Sequence, residues 1–392
     1  MKRAFIFGFL EFPHGSASAN YVQYLALALR ECGYESYVIS SGDTKQCIWN
    51  ESLRCYTYEK LNFVPYNLST NKILHYLQFR YGLGEIVVKE LKKFECNSSD
   101  IVVAYSLKPS EMEPAFKFAK KNNIQSVACV TELFPPEFFK GGVKGKGWKE
   151  YKRVLEHSIK MADKVWPISS YIEEYFKKFN CDMLIIPPLV DTKAVEYKGK
   201  KAYRNKKEIN IVFSGNRKIK DALIPMAEAV NSLNSKSVRK IRLHITGVSK
   251  SYFKDNENLL KCIGDSIILY DWMSYDELQS MYSNMDFLFL AREKTQLTMA
   301  NFPSKVPEVM AHGIVPIASK VGDYTDKYLK DSHNSILFEG ATIESCTEVL
   351  QRVINLSDEN IQRLSFNART LSEEAFDYRR WSKKILAHLT NS

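Results

Sequence analysis

Apolar residues in this chain come in short β-rich bursts, separated by stretches where they recur every three or four positions. Bursts of the first kind fall at 3–9, 35–40, 100–105, 124–130, 164–168 and 183–186. Each is rich in Val, Ile, Phe or Tyr and bounded by polar or turn-forming residues, which predicts a strand. Between the first two, segment 18–33 repeats Val22, Leu25, Ala26 and Leu29 at helical spacing and stops at Gly33. The run Pro187-Pro188-Leu189-Val190-Asp191 breaks the rhythm and reads as a linker. A second series follows, with strands at 209–213, 241–246, 266–270, 286–290 and 314–318 and helices near 219–233, 275–283, 304–312 and 343–354. After Asp358 the chain reads as helical, with Tyr378, Trp381, Ile385 and Leu389 on one face.

Strands alternating with helices predict parallel sheets covered by helices. The expected fold class is therefore α/β: two doubly wound, Rossmann-like domains facing a cleft, at 1–187 and 188–375, with a last helix at about 376–392 packing back on the first. Ligands in such sheets bind at the carboxyl ends of the strands.

At 392 residues, two domains of about 190 residues each are the natural expectation. The opening Met1-Lys2-Arg3 and the apolar run after it imitate a signal peptide, but Glu11, Pro13 and His14 cut the run short, so a buried strand is expected. No apolar run approaches the ~18 residues of a membrane span. The eight cysteines (Cys32, Cys47, Cys55, Cys96, Cys129, Cys181, Cys262, Cys346) form no C-x-x-C pair. They read as small core residues in a reducing, cytoplasmic setting, and no metal-ligand cluster or cofactor fingerprint is apparent. The net charge of +10 favours anionic partners. No nucleic-acid reader motif is present. Lys140, Lys144, Lys146, Lys149, Lys152 and Arg153 crowd one Gly-rich segment with Trp148. An anionic membrane face, with Trp148 as anchor, or a pyrophosphate-bearing lipid suits that segment, as does a merely solvated surface.

Three segments carry candidate chemistry. In 301–319, Asn301-Phe302-Pro303-Ser304-Lys305 opens a short helix whose start can hold an anion, and Glu308 follows one turn on, where it can accept from sugar hydroxyls. Pro-Ser starts and Gly stops are also ordinary punctuation. In 12–20, the small residues Gly15 and Ser16 let backbone approach a ligand, or simply cap the next helix. In 213–221, Gly215, Arg217, Lys218 and Lys220 follow a strand end, where cations suit a diphosphate gaining charge, or form a solvated turn.

Taken together, and with 162–169, 271–286, 321–326 and 334–338, these segments resemble, in order and spacing, the retaining nucleotide-sugar glycosyltransferases of family 4, which have the GT-B fold. The resemblance runs nearly end to end. It implies that Glu308 holds the nucleotide ribose, that Lys220 and Arg217 bind the diphosphate, and that amides around Asn301, Phe302, Pro303, Ser304 and Lys305 cradle phosphate. Gly15 and Ser16 would approach from the other domain, Gly215 would lie beside the phosphates, and Trp272 and Met273 beside the base. Glu132 stands where the family often has a histidine and is a candidate acceptor-side carboxylate, or a buried or capping Glu. The family's usual glutamate eight residues before Glu308 is Ala300 here. The implied reaction moves a sugar from a UDP- or GDP-sugar to a glycan or lipid-linked glycan in bacterial surface-polysaccharide assembly, at the inner face of the cell membrane. A nucleotide-sugar sensor or scaffold, motivated by Ala300, and a nucleotide-sugar epimerase of the same fold are the alternatives.

Overall fold

The computed structural model describes residues 2–13, 16–197, 199, 208–215 and 220–391. Two compact units divide the chain: Met1–Leu189 with Tyr378–Ser392, and Val190–Asp377. The first holds β1 (Lys2–Phe7), β2 (Tyr34–Ser40), β3 (Ile48–Asn50), β4 (Cys55–Tyr58), β5 (Leu61–Pro65), β6 (Ile101–Ala104), β7 (Gln125–Val130), β8 (Lys164–Pro167) and β9 (Asp182–Met183). Its helices are α1 (Ala17–Glu31), α2 (Lys72–Leu77), α3 (Leu83–Lys93), α4 (Pro109–Lys121), α5 (Lys146–Arg153) and α6 (Ser170–Lys177). The sheet order is β3-β4-β5-β2-β1-β6-β7-β8-β9, parallel except where β4 meets β3 and β5. Central β1 is buried along Ala4-Phe5-Ile6-Phe7, as a strand covered on both faces requires. The chain fills one side of β1 first and then crosses to β6 on the other, so the topological switch point lies between β1 and β6.

The second unit repeats the scheme with β10 (Glu208–Ser214), β11 (Lys240–Thr246), β12 (Ile267–Tyr270), β13 (Phe287–Leu290), β14 (Val315–Ser319) and β15 (Ile336–Phe338). Its helices are α7 (Leu223–Asn234), α8 (Glu257–Cys262), α9 (Tyr275–Tyr282), α10 (Gln296–Ala300), α11 (Lys305–Ala311), α12 (Ile343–Ile354) and α13 (Asp358–Leu371). All six strands are parallel, in the order β12-β11-β10-β13-β14-β15, which puts the switch point between β10 and β13. Ile209, Ile211 and Phe213 of β10 and Ile241, Leu243 and Ile245 of β11 point to one core with α7 and α12, the period-2 alternation of a strand.

The last helix, α14 (Tyr378–Thr390), belongs to the first unit. It packs on α1, where Tyr24 and Tyr378 stack and the Cys32 thiol donates to the Ser382 carbonyl. Lys164 Nζ donates to the Asn391 carbonyl at 2.8 Å. Strands β3 to β5 and β15 were not expected, and β9 is two residues long where four were expected. No helix among the described residues is long and apolar enough to cross a membrane.

Candidate functional site

At the switch point of the second unit, three buried charges meet. Arg292 follows directly on the apolar exit of β13, Lys305 opens α11, and Asp221 lies between the exit of β10 and α7. The Arg292 Nε donates to one Asp221 oxygen at 2.5 Å, and Lys305 Nζ lies 3.4 Å from the other. These side chains are 3, 14 and 8% exposed for Arg292, Lys305 and Asp221 respectively. Burial works to raise the Asp221 pKa, but the charges of Lys305 and Arg292 overcome it and hold it at about 2. Burial lowers the Lys305 pKa, and the Asp221 carboxylate opposes that. Arg292 also donates from Nη1 to Asn301 Oδ1 at 3.1 Å, and its backbone N–H donates to Ser319 Oγ. The Lys305 ammonium lies 4.7 Å from the ring centroid of Phe213.

Gly215 completes this floor. A Cβ there would stand 2.8 Å from Lys305 Nζ, so the missing side chain makes room for the ammonium. Lys220 precedes Asp221 in sequence, and its charge is felt by Lys305. Two like cations beside a strand exit, one of them desolvated, make a site of positive potential in a water-poor setting. Arg217 and Gly15 lie outside the described residues.

Glu308 sits one turn along α11 and is buried. Its charge, after burial itself, contributes to pushing the Tyr282 phenol far above its ordinary range. That phenol lies 2.8 Å from Ser214 Oγ at the exit of β10. His312 meets the Tyr282 ring edge-on, with its Nε2 2.7 Å from Gln279 Oε1. Ser214 and Tyr282 thus join the exit of β10, beside the cation cluster, to α9, with the Glu308 charge close to the phenol.

The other expected residues fall in different settings. The Phe302 ring is buried against Tyr324, Tyr328 and Phe376, so only its backbone is available to a ligand. Pro303 is buried, and Ser304 stands at the N-cap of α11 without making a side-chain cap bond. Trp272 and Met273 follow β12, the edge strand two places from β10. Trp272 is exposed, and Met273 lines a cavity of about 570 Å³ with Asn210, His244 and Tyr270 on the sheet face. Ser16 caps α1, its Oγ accepting from the Ala19 N–H at 3.2 Å. Ala300 is fully buried at the end of α10.

In the first unit, Glu132 follows β7; its backbone carbonyl accepts from the Tyr151 hydroxyl at 3.1 Å, and its charge reaches Tyr105 and Tyr151. Trp148, the expected anchor, packs on its aromatic neighbours and keeps part of its surface open. Its ring is half-buried, 5.8 Å from Phe139 and 6.1 Å from Tyr151 between centroids. Exposed apolar side chains include Phe138 and Val143 of the same stretch and Ile73, Leu74, Tyr76 and Leu77 of α2, a helix with no buried residue. Arg80, just past α2, pairs with Glu150 of α5.

Asp221 and Arg292 had not been singled out in the sequence. A bare arginine directly after the buried run Phe287-Leu288-Phe289-Leu290-Ala291 is the signal that could have found the second of them.

Residues 196–371 match the family model described as glycosyl transferases group 1, a span that contains the whole cation cluster. No curated protein sequence matches the chain. Among solved structures, the sucrose-phosphate synthase of Thermosynechococcus elongatus is 14% identical, with a TM-score of 0.72 over 98% of this chain and 97% of its own. HepE of Anabaena, in complex with UDP and glucose, is 11% identical, with a TM-score of 0.70 over 99% of each chain. WaaG, a glycosyltransferase involved in lipopolysaccharide biosynthesis, is 13% identical, with a TM-score of 0.67 over 99% of this chain and all of its own. The fold is that of the GT-B glycosyltransferases, and the match to the group 1 glycosyl transferase model falls within the second unit.

Proposed function

We propose that this chain is a retaining glycosyltransferase of the family 4 type. In this reading it moves a sugar from a UDP- or GDP-sugar to a hydroxyl of a glycan or lipid-linked glycan during assembly of a bacterial surface polysaccharide. The observation that carries the reading is the Lys305–Asp221–Arg292 cluster at the switch point of the unit that matches group 1 glycosyl transferases.

The chemistry follows from charge. As the bond between the anomeric carbon and the phosphate oxygen breaks, the diphosphate gains negative charge. Lys305 and Lys220, with Arg217, would neutralise it where water is scarce, and differential stabilisation of this kind lowers the barrier. The departing phosphate oxygen then takes the proton of the acceptor hydroxyl on the same face, and the new glycosidic bond forms with retention. Positioning and cations suffice for such a step, with no metal ion in the scheme. Glu308 would accept from the two ribose hydroxyls, with Tyr282 and Ser214 behind it. HepE, solved with UDP and with UDP-glucose, supports a uridine nucleotide as the first donor to try.

The reading extends to a membrane. The basic segment at 140–153, together with the exposed apolar residues of α2, suits the anionic cytoplasmic face, where each Lys or Arg contributes about 1 kcal/mol.

A thermal-shift scan over UDP- and GDP-sugars tests the donor side, because a ligand that binds only the folded state raises stability by mass action. One nucleotide sugar should raise the melting temperature of the wild type and not of Lys305→Met. Anomeric analysis of the product made from that donor then separates transfer with retention from epimerisation, and from the binding without turnover that Ala300 would suit. A scan in which no nucleotide sugar shifts the wild type refutes the proposal.

A further inference from the structure

Lys108 carries an ammonium that the first unit buries without a hydrogen-bond partner among the described residues. It lies on the segment leaving β6, which with the exit of β1 frames the switch point of the nine-stranded sheet. The two exits are close. A Cβ on Gly8 would stand 2.0 Å from the Tyr105 carbonyl oxygen.

The ammonium lies 3.3 Å from the ring centroid of Phe79 and 4.7 Å from that of Phe9. Two acids are near enough for their charge to be felt, Glu111 and Glu150, and both are engaged elsewhere. The oxygens of Glu111 accept from the Tyr66 and Ser106 hydroxyls, and burial pushes the Glu111 pKa up toward its neutral form. Glu150 pairs with Arg80. Lys108 is therefore a cation kept from water by two aromatic faces, with no anion of its own. Burying a charge in that way is costly, and a binding crevice is where a ligand can supply the missing partner.

The surroundings indicate what brings the anion. Phe9 is exposed on one side. Phe79 belongs to a π-helical turn, Gln78–Gly82, that continues α2. Every apolar side chain of α2 faces solvent. A buried cation beside an uncovered apolar strip matches an amphiphile with an anionic head.

We propose that Lys108 binds the pyrophosphate of a polyisoprenyl-type lipid acceptor, with Phe9 and Phe79 against the first carbons of its chain and α2 along the hydrocarbon beyond. The flexible lysine stem lets the ammonium exchange the two rings for phosphate oxygens. This deepens the glycosyltransferase reading and rests on it for the word acceptor, but the binding itself is testable without turnover.

Calorimetric titration of the full chain with farnesyl pyrophosphate, inorganic pyrophosphate and farnesol tests it. Farnesyl pyrophosphate should bind the wild type and Lys108→Arg, lose about tenfold or more in affinity with Lys108→Met, and keep its affinity with Lys305→Met. Phe79→Ala, which leaves the cation in place, should keep binding of inorganic pyrophosphate at Lys108 while reducing the preference for the farnesyl compound. Equal affinity of wild type and Lys108→Met for farnesyl pyrophosphate overturns the proposal and leaves Lys108 as a structural cation stacked on two rings. Inorganic pyrophosphate that matches farnesyl pyrophosphate at this site assigns it to a free phosphate and overturns the lipid part. The nucleotide-sugar thermal shift is run beside these titrations. Loss of that shift in the wild type counts against the transferase reading, whereas an unaltered titration counts against this one.

Discussion

Asp221→Asn keeps the shape of the side chain and removes the charge that Arg292 and Lys305 share. The difference between the ordinary carboxylate value of 3.8 and about 2 corresponds, at 1.36 kcal/mol per pH unit, to about 2.5 kcal/mol of native-state stabilisation near neutrality. The carboxylate is 8% exposed, so solvent screening takes little of that away. The variant also leaves two cations facing each other in a buried site, and removing one partner of such a pair costs roughly 3–5 kcal/mol. An overall loss of about 3 kcal/mol is expected. The sign with pH follows from the depressed value: the carboxylate's contribution is fully present above about pH 4 and is lost as pH falls through about 2, with roughly half remaining at pH 3. Urea unfolding followed by far-ultraviolet circular dichroism at pH 7 and pH 3 measures both quantities, with a slope against urea that should not change. The variant should also gain more stability from added pyrophosphate than the wild type does, because its cations are released from the carboxylate. A variant within 0.5 kcal/mol of wild type at pH 7, or a deficit of the same size at both pH values, would refute the reasoning.

Glu308→Gln should leave the melting temperature of the unliganded protein within a few degrees of wild type and weaken donor binding by about 2 kcal/mol, read by calorimetry; unchanged donor affinity removes Glu308 from the ribose. Gly215→Ala puts a methyl group 2.8 Å from Lys305 Nζ, so it should weaken binding of a nucleotide-diphosphate donor by about tenfold with little effect on folding, measured in the same titration. Lys220→Ala should lower kcat roughly a hundredfold in a donor-turnover assay while the protein stays folded. Normal turnover there, with Lys218→Ala inactive, would shift the cation by two positions.

The rhythm of strands and helices was legible because parallel strands covered on both faces must be nearly continuous apolar runs, as Ala4-Phe5-Ile6-Phe7 and Phe287-Leu288-Phe289-Leu290 are. Strands β3 to β5 escaped notice for the opposite reason. They are three to five residues long; Ile48 and Trp49 of β3 are exposed, and the buried run of β5 is interrupted by the polar Asn62, so no continuous apolar run marks them. The segment carrying Lys305 and Glu308 was readable from one stretch of chain. The ion pair of Asp221 with Arg292 was not, since its members are 71 positions apart and nothing local couples them. The packing of Trp148 against Phe139 and Tyr151 was not legible in the basic run that contains it, because Phe139 lies outside that run's helix. The exposed face of α2 was not legible either: nothing local tells that Ile73, Leu74 and Leu77 are left uncovered by the fold.

The chain leaves the first unit after Leu189 and returns to it at Tyr378, and the two crossings are tied together. The Val190 N–H donates to the Phe376 carbonyl at 2.9 Å, and the Asp377 carboxylate accepts from the backbone N–H and the hydroxyl of Thr192. The second unit is thus an excursion that begins and ends at one spot, and the first takes in a thirteen-residue helix that follows the second in the chain. Until that helix arrives, the face of α1 around Tyr24 and Cys32 has no cover, however long the earlier strands have been in place. A chain truncated after residue 377 should therefore hold a complete second unit and a first unit whose α1 face is left uncovered.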